Sequence, residues 1–359
     1  MLKRIEYFIK NLLLIILSSL SKNSKSFNKE LKIDPDTKIL LIRINRIGDA
    51  LVTTPFIHLL KTKKKCKIYI LADRKNHFVF NNNPDINEVL IYDKSLSGFF
   101  KTIKTINSIK FDYIIDLHDD VSTTVSFIIA ASKCENKIGL EKSNKSIFTQ
   151  TVPRPDPNKY HVIERLCSFS KLLGFEYSKD ELGVIYNPSV DSINKIETLL
   201  NNIFDKKRLL LGINISAGSD ARFWKTENYK RLRENLKAYD INILLICHEK
   251  DYSEALKIID ERYILNPRKN FDLFAAAIQK LDMLFSPDTS AVFIADSKRV
   301  PVFGLYVKYR MNEMIWSPFN SDFDCVITEE QNLDNVQFHL VWNKFKPFLE
   351  KYLNQFNGF

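Results

Sequence analysis

Short, nearly continuous apolar runs alternate along this chain with stretches whose apolar residues recur at helical spacing. In the first half the runs are Lys38–Ile44, Lys67–Ala72, Glu88–Tyr92 and Tyr113–Leu117, with a shorter one at Lys137–Leu140. In the second half they are Leu209–Ile215, Ile241–Cys247, Met283–Ser286 and Val300–Leu305. Such runs suit strands covered on both faces, as in a parallel sheet flanked by helices. Helical spacing follows the first run at Leu51, Phe56, Leu59 and Leu60, and recurs over Ser122–Ala131 and His161–Leu173. Two series of alternating strands and helices predict two doubly wound α/β domains with right-handed crossovers. The linker is Glu176–Val190, which carries Gly183 and Pro188. The first domain is expected over residues 37–175 and the second over 190–335. Residues 336–359 place Phe338, Val341, Trp342, Phe345 and Phe348 near helical spacing, a helix expected to pack across the domain junction.

Residues 1–36 stand apart. Met1–Leu20 mixes Lys3, Arg4 and Lys10 with Ile5, Tyr7, Phe8 and Ile9, and its longest apolar run is Leu12–Leu17. That run is too short to span a bilayer, and no small-residue cleavage site follows it. Two readings stand: a basic, apolar helix on a membrane surface, or a helix docked on the protein's own core. Ser21–Glu30 is polar and reads as a linker.

Charge narrows the partners. The chain holds 53 Lys and Arg against 43 Asp and Glu, a net of +10. A basic balance favours nucleic acid, anionic lipid or phosphorylated substrates, and nucleic acid is the weakest because no Lys/Arg tract is interleaved with aromatics. The densest cluster, Lys61–Lys65, falls where the first helix should end, where it offsets the helix dipole. Five scattered cysteines, without CxxC or Cys/His spacing, read as reduced packing thiols of a cytosolic protein and offer no metal site.

In open α/β sheets ligands bind beyond the carboxyl ends of strands, which selects the loops. The turn Arg46-Ile47-Gly48-Asp49 follows the first strand. Gly48 allows a tight turn or close approach of a ligand. Asp49 is a base or ribose ligand, or else a helix cap. Asp116, His118 and Ser122 end another strand and form a further candidate binding set; a lone histidine such as His118 is also a common structural residue. Lys137 and His161 are weaker candidates. Ser216, Gly218 and Ser219 lie on a strand-to-helix loop that can present amides and hydroxyls to phosphate, or simply turn the chain. Glu249 and Asp251 follow Ile241–Cys247, where a carboxylate suits a ribose diol and Asp251 also suits a helix cap.

Several segments together resemble a known family. Ile47-Gly-Asp-Ala-Leu-Val-Thr-Thr-Pro55 resembles the opening motif of the ADP-heptose:lipopolysaccharide heptosyltransferases, glycosyltransferase family nine. Asn83–Ile91, Phe111–His118, Asn214–Trp224 and Ser286–Ala295 are similar to later segments of that family, in the same order. The resemblance implies a GT-B-like pair of Rossmann-like domains with a central cleft, the first binding the acceptor and the second the nucleotide-sugar. It assigns Asp49 as the catalytic base. It assigns Arg222, which precedes Phe223-Trp224, to the leaving diphosphate, a role suited to a guanidinium fork. It places Asp288, Thr289 and Ser290 at the donor. Two positions depart from the family pattern: Ser290 stands where glycine is usual and Phe293 where histidine is usual.

The activity implied is inverting, metal-independent transfer of heptose from ADP-heptose to a lipid-linked inner-core acceptor, with no cofactor beyond the nucleotide-sugar. The expected location is cytoplasmic, peripheral on the inner face of the membrane. Alternatives are a related transferase using another nucleotide-sugar, because of Phe293, and a non-catalytic binding protein of the same fold.

Overall fold

In a computed structural model the described residues are 31–268, 270–311 and 313–358, with the backbone of Lys25–Ser26. The basic apolar stretch expected over Met1–Leu20 lies outside them. The chain divides into two compact units, Met1–Leu182 and Gly183–Phe359.

The first unit is a seven-stranded, wholly parallel sheet. Its strands are β1 (Lys25–Ser26), β2 (Lys38–Ile42), β3 (Lys67–Asp73), β4 (Glu88–Tyr92), β5 (Tyr113–Asp116), β6 (Asn136–Leu140) and β7 (Gln150–Val152). They lie in the order β1-β7-β6-β5-β2-β3-β4. The helices are α1 (Ile47–Leu51), α2 (Thr54–Lys64), α3 (Leu96–Ile109), α4 (Thr123–Ala131) and α5 (Val162–Cys167). The apolar runs became strands because both faces are covered: Ile39, Leu40, Leu41 and Ile42 of β2 are all fully buried. α2 ends on Lys65 in the left-handed conformation, with Lys61, Lys63 and Lys64 in its last turn, as dipole compensation requires. Gly139 of β6 has a packing reason: a β-carbon there would stand 2.3 Å from the Phe148 ring. The helix expected over His161–Leu173 is shorter, since α5 gives way to a 3-10 turn at Ser168–Ser170. Ser168 Oγ donates to the Arg165 carbonyl at 2.6 Å, a local bond that competes with helix continuation.

The second unit is a six-stranded parallel sheet. Its strands are β8 (Leu209–Asn214), β9 (Ile241–Ile246), β10 (Ile264–Leu265), β11 (Met283–Pro287), β12 (Val302–Val307) and β13 (Phe323–Thr328), in the order β10-β9-β8-β11-β12-β13. Its helices are α6 (Val190–Ile203), α7 (Thr226–Leu236), α8 (Tyr252–Ala255), α9 (Phe271–Ile278), α10 (Ser290–Asp296) and α11 (Phe338–Asn357). β12 starts at Val302, two residues later than expected, because Pro301 has no N–H for the ladder. The C-terminal segment is part of this unit's core. Val341, Phe345, Phe348 and Leu349 of α11 pack with Trp224, Phe285 and Phe303, and the Trp224 indole donates to the Val336 carbonyl at 2.9 Å. No helix among the described residues is long and apolar enough to cross a membrane.

Each sheet is doubly wound. In the first unit the chain runs outward through β2, β3 and β4, then returns to β5 on the other side of β2. In the second it runs through β8, β9 and β10, then returns to β11 beside β8. The β2/β5 and β8/β11 junctions are therefore the topological switch points, where the loops diverge and leave a crevice for ligand.

Candidate functional site

Two residues cross-link the β2/β5 switch point reciprocally. Arg43, just past β2, donates through Nη1 to the Leu117 carbonyl at 2.6 Å. His118, just past β5, reaches back through Nε2 to the Ile44 carbonyl at 3.1 Å. The rest of the Arg43 guanidinium is spent on Asp49: Nε binds the Asp49 carbonyl at 2.9 Å and Nη2 the carboxylate Oδ1 at 2.8 Å. Asp49 is the third residue of α1, whose N-cap, Arg46, makes no side-chain cap bond. Asp49 is thus an oriented carboxylate rather than a helix cap, with its side chain 19 % exposed against 2 % for Arg43.

The turn that carries Asp49 is held from β3. Asn45, not Gly48, takes the left-handed backbone, with φ 97°; Gly48 sits inside α1. Strain of this kind persists only where the surroundings enforce it. Here the Asn45 N–H donates to Asp73 Oδ2 at 3.1 Å, and Lys94 Nζ bridges that oxygen (2.7 Å) and Asn45 Oδ1 (3.1 Å).

Asp116 and His118 lie at this junction as a buried pair. Asp116 Oδ1 accepts from the His118 backbone N–H (3.0 Å) and faces its Nδ1 (2.7 Å), while Oδ2 meets Lys142 Nζ at 3.0 Å. Lys142 also donates to the His118 carbonyl at 2.6 Å. Burial raises the Asp116 pKa, but the Lys142 charge and then His118 outweigh it and hold the carboxyl well below the usual range. Both His118 ring nitrogens face acceptors, Asp116 and the Ile44 carbonyl. Asp116 and His118 thereby brace the loops at this junction. Ser122 caps α4, accepting from Val125 N–H. His161 caps α5 in a capping box with Glu164, and Lys137 donates to the Ala130 carbonyl.

The β8/β11 junction of the second unit is stitched in the same manner. Asn214, the last residue of β8, donates to Ser286 Oγ (2.9 Å), Thr289 Oγ1 (3.3 Å) and the Ser216 carbonyl (3.1 Å). Ser216 Oγ accepts from the His248 N–H (2.7 Å) and donates to Asp251 Oδ2 (2.6 Å). Asp251 therefore ties the β8 and β9 loops together and makes no side-chain cap for α8. Thr289 caps α10, accepting from the Ala291 N–H. Arg222, closing the 3-10 turn Asp220–Arg222, pairs with Asp288 at 3.0 Å; both remain partly exposed. Beneath them the Tyr306 hydroxyl is buried and unpartnered, and burial together with the Asp288 charge lifts its pKa far above the ordinary value.

Ser216, Asp251, Arg222, Asp288 and Thr289 thus share one set of loops. Gly218 and Ser219 sit exposed beside them, and nothing in the protein lies within 4 Å of a β-carbon built on Gly218. Glu249 is exposed past the end of β9. Ser290 opens α10 outside the left-handed region, so replacing the usual glycine costs no backbone strain. Phe293 is buried in α10 and packs inward. Residues not singled out from sequence are Arg43, Asn45, Lys142 and Asn214. The available signal for Arg43 and Asn214 was a polar side chain near the carboxyl end of an otherwise apolar run.

The sequence model of glycosyltransferase family 9 (heptosyltransferase) matches residues 99–341. The lipopolysaccharide core heptosyltransferase OpsX of Haemophilus influenzae is 22 % identical over 311 residues, covering 82 % of this chain and 85 % of that one. The crystal structure of a glycosyl transferase family 9 protein from Veillonella parvula superposes with a TM-score of 0.78 at 17 % identity, covering 90 % of this chain and 100 % of that chain. E. coli heptosyltransferase WaaC with ADP superposes with a TM-score of 0.68 at 14 % identity, covering 90 % of this chain and 100 % of that chain. With two doubly wound parallel sheets of the GT-B kind and a family match over more than half its length, the chain belongs to glycosyltransferase family 9, the heptosyltransferase family.

Proposed function

We propose that the protein transfers a heptose from ADP-heptose to a lipopolysaccharide inner-core acceptor with inversion at the anomeric carbon. The observation that carries this reading is the Arg43–Asp49 arrangement at the β2/β5 switch point, a part-exposed carboxylate oriented by a buried guanidinium. Asp49 takes the proton of the acceptor hydroxyl as its oxygen bonds to the anomeric carbon. The bond from that carbon to the diphosphate oxygen breaks in the same displacement, and ADP leaves with the electron pair. Arg222, with the hydroxyls and amides of the Ser216–Ser219 loop and of Asp288, Thr289 and Ser290, stabilises the charge that develops on the diphosphate. Glu249 or Asp251 holds the ribose; Asp251 would do so while keeping its bond to Ser216. No metal or other cofactor is required in this scheme.

The names of similar proteins support the donor and acceptor: one is a lipopolysaccharide core heptosyltransferase and another is a heptosyltransferase with ADP. The non-catalytic alternative loses one of its grounds, because Ser290 fits the backbone that glycine usually occupies. Phe293, standing where the family usually has histidine, favours a second reading, transfer from a different nucleotide-sugar. The protein would work at the cytoplasmic face of the inner membrane, where a lipid-linked acceptor is available. The test is incubation of purified protein with ADP-heptose and a Kdo-bearing lipid acceptor, with ADP- and UDP-hexoses as competitors. Heptosylated product with release of ADP supports the proposal. Turnover only with another donor moves the assignment to the second reading.

A further inference from the structure

Two large apolar side chains project from the first unit on a single turn of helix. Leu96 and Phe100, spaced i and i+4 at the start of α3, are 83 % and 69 % exposed, and Ile91 of the edge strand β4 is 50 % exposed. α3 is otherwise well built: Ser95 caps it, and Gly98, Thr102 and Ile106 form its buried face. The exposed face carries Leu96, Phe100, Lys101 and Lys104, and the helix contains no acidic residue. The nearby Asp93 is paired with Arg74 at 3.0 Å. A solvated helix face ordinarily carries polar residues at such positions, and a contiguous exposed apolar patch marks an interaction surface.

Its place in the fold indicates what it meets. α3 starts just past the carboxyl end of β4, the same edge of the sheet that carries the Asp49 turn. Lys94, two residues before Leu96, bonds Asp73 and Asn45 and so ties the start of α3 to that turn. Lys101 and Lys104 lie roughly 1.5–6 Å beyond Phe100 along the helix axis. Leu96 and Phe100 offer apolar tips to an acyl boundary, and Lys101 and Lys104 beside them on the exposed face offer ammonium groups to anionic headgroups.

We infer that the Leu96–Phe100 face of α3 docks the protein on an anionic bilayer, with the Asp49 edge of the first unit toward the lipid. The docking itself stands on α3; only the identity of the delivered substrate rests on the transfer reading above.

The experiment is flotation of the full chain with vesicles of phosphatidylglycerol and phosphatidylcholine, against phosphatidylcholine alone. The variants are L96N/F100S and K101Q/K104Q, with thermal stabilisation by ADP as a control on the fold and the nucleotide site. Wild type should bind the anionic vesicles and release at high salt. L96N/F100S should bind about ten-fold or more weakly, and K101Q/K104Q should lose the preference for anionic over neutral vesicles, both with unchanged stabilisation by ADP. The inference is overturned if wild type ignores the vesicles or if L96N/F100S binds as wild type does. It is also overturned if the apolar pair instead supports a concentration-dependent dimer that the double variant abolishes. Transfer to a delipidated acceptor, measured separately, distinguishes failure of docking from failure of the transfer reading.

Discussion

Arg43 and Asp49 are joined twice, through the carboxylate at 2.8 Å and through the backbone carbonyl at 2.9 Å, by one guanidinium whose third arm reaches Leu117, just past β5. A base is useful only when its lone pair is aimed at the proton it must take, and this clamp aims it. Lysine keeps the charge at position 43 but has no planar fork. Arg43→Lys should therefore lower kcat for transfer about ten-fold or more while leaving ADP affinity unchanged. A kcat equal to wild type would mean that Asp49 needs no clamp.

Asp116 gives a stability prediction with a defined pH dependence. Its folded pKa lies below the ordinary 3.8. Its contribution is therefore fully present above about pH 4, and is lost as pH falls toward the folded pKa. Asp116→Asn leaves the buried Lys142 charge without its partner, which should cost about 3–5 kcal/mol at pH 7. Urea unfolding should show that deficit at neutral pH and a narrowing gap between wild type and variant below about pH 4. A gap independent of pH would assign the loss to packing.

Arg222→Ala should weaken ADP binding by roughly 1.5–3 kcal/mol, about ten- to a hundred-fold, because it removes a charge-assisted contact to the diphosphate. Asp288 would also lose its pairing with Arg222 and present a repulsive carboxylate. Titration calorimetry with ADP and with adenosine separates the effects, since adenosine affinity should not change. Equal ADP affinity in variant and wild type would leave Arg222 as a surface ion pair.

Transfer should persist in EDTA. Among the described residues no group of three or more His, Cys, Asp or Glu side chains is placed to hold a metal ion, and a guanidinium with loop amides can carry the electrostatic work. Abolished turnover that magnesium or manganese restores would require a cation, brought by the substrate or held elsewhere in the chain.

The strands were legible where burial on both faces forces an unbroken apolar run, as in β2 and β8. β13 escaped because Phe323-Asp-Cys-Val-Ile-Thr is a half-exposed edge strand without such a run. Asp49 was legible as a residue of the turn after the first strand, and Arg222, Asp288 and Thr289 through the family resemblance, but their partners were not. The bond from Arg43 to Leu117 spans 74 residues, and the one from Lys142 to Asp116 spans 26. Such pairings depend on strand order, which local pattern does not encode. For the same reason the bracing of the β2/β5 junction by Asp116 and His118 was not legible.

The central claim is that Asp49 is the base. Asparagine at this position keeps the shape and still accepts a hydrogen bond from Arg43, but cannot take a proton at neutral pH. The most direct measurement is the single-turnover transfer rate of Asp49→Asn with ADP-heptose and lipid acceptor, beside its ADP affinity. The account predicts a rate lower by about a hundred-fold or more, with ADP affinity within about two-fold of wild type. A transfer rate within a few-fold of wild type would contradict it.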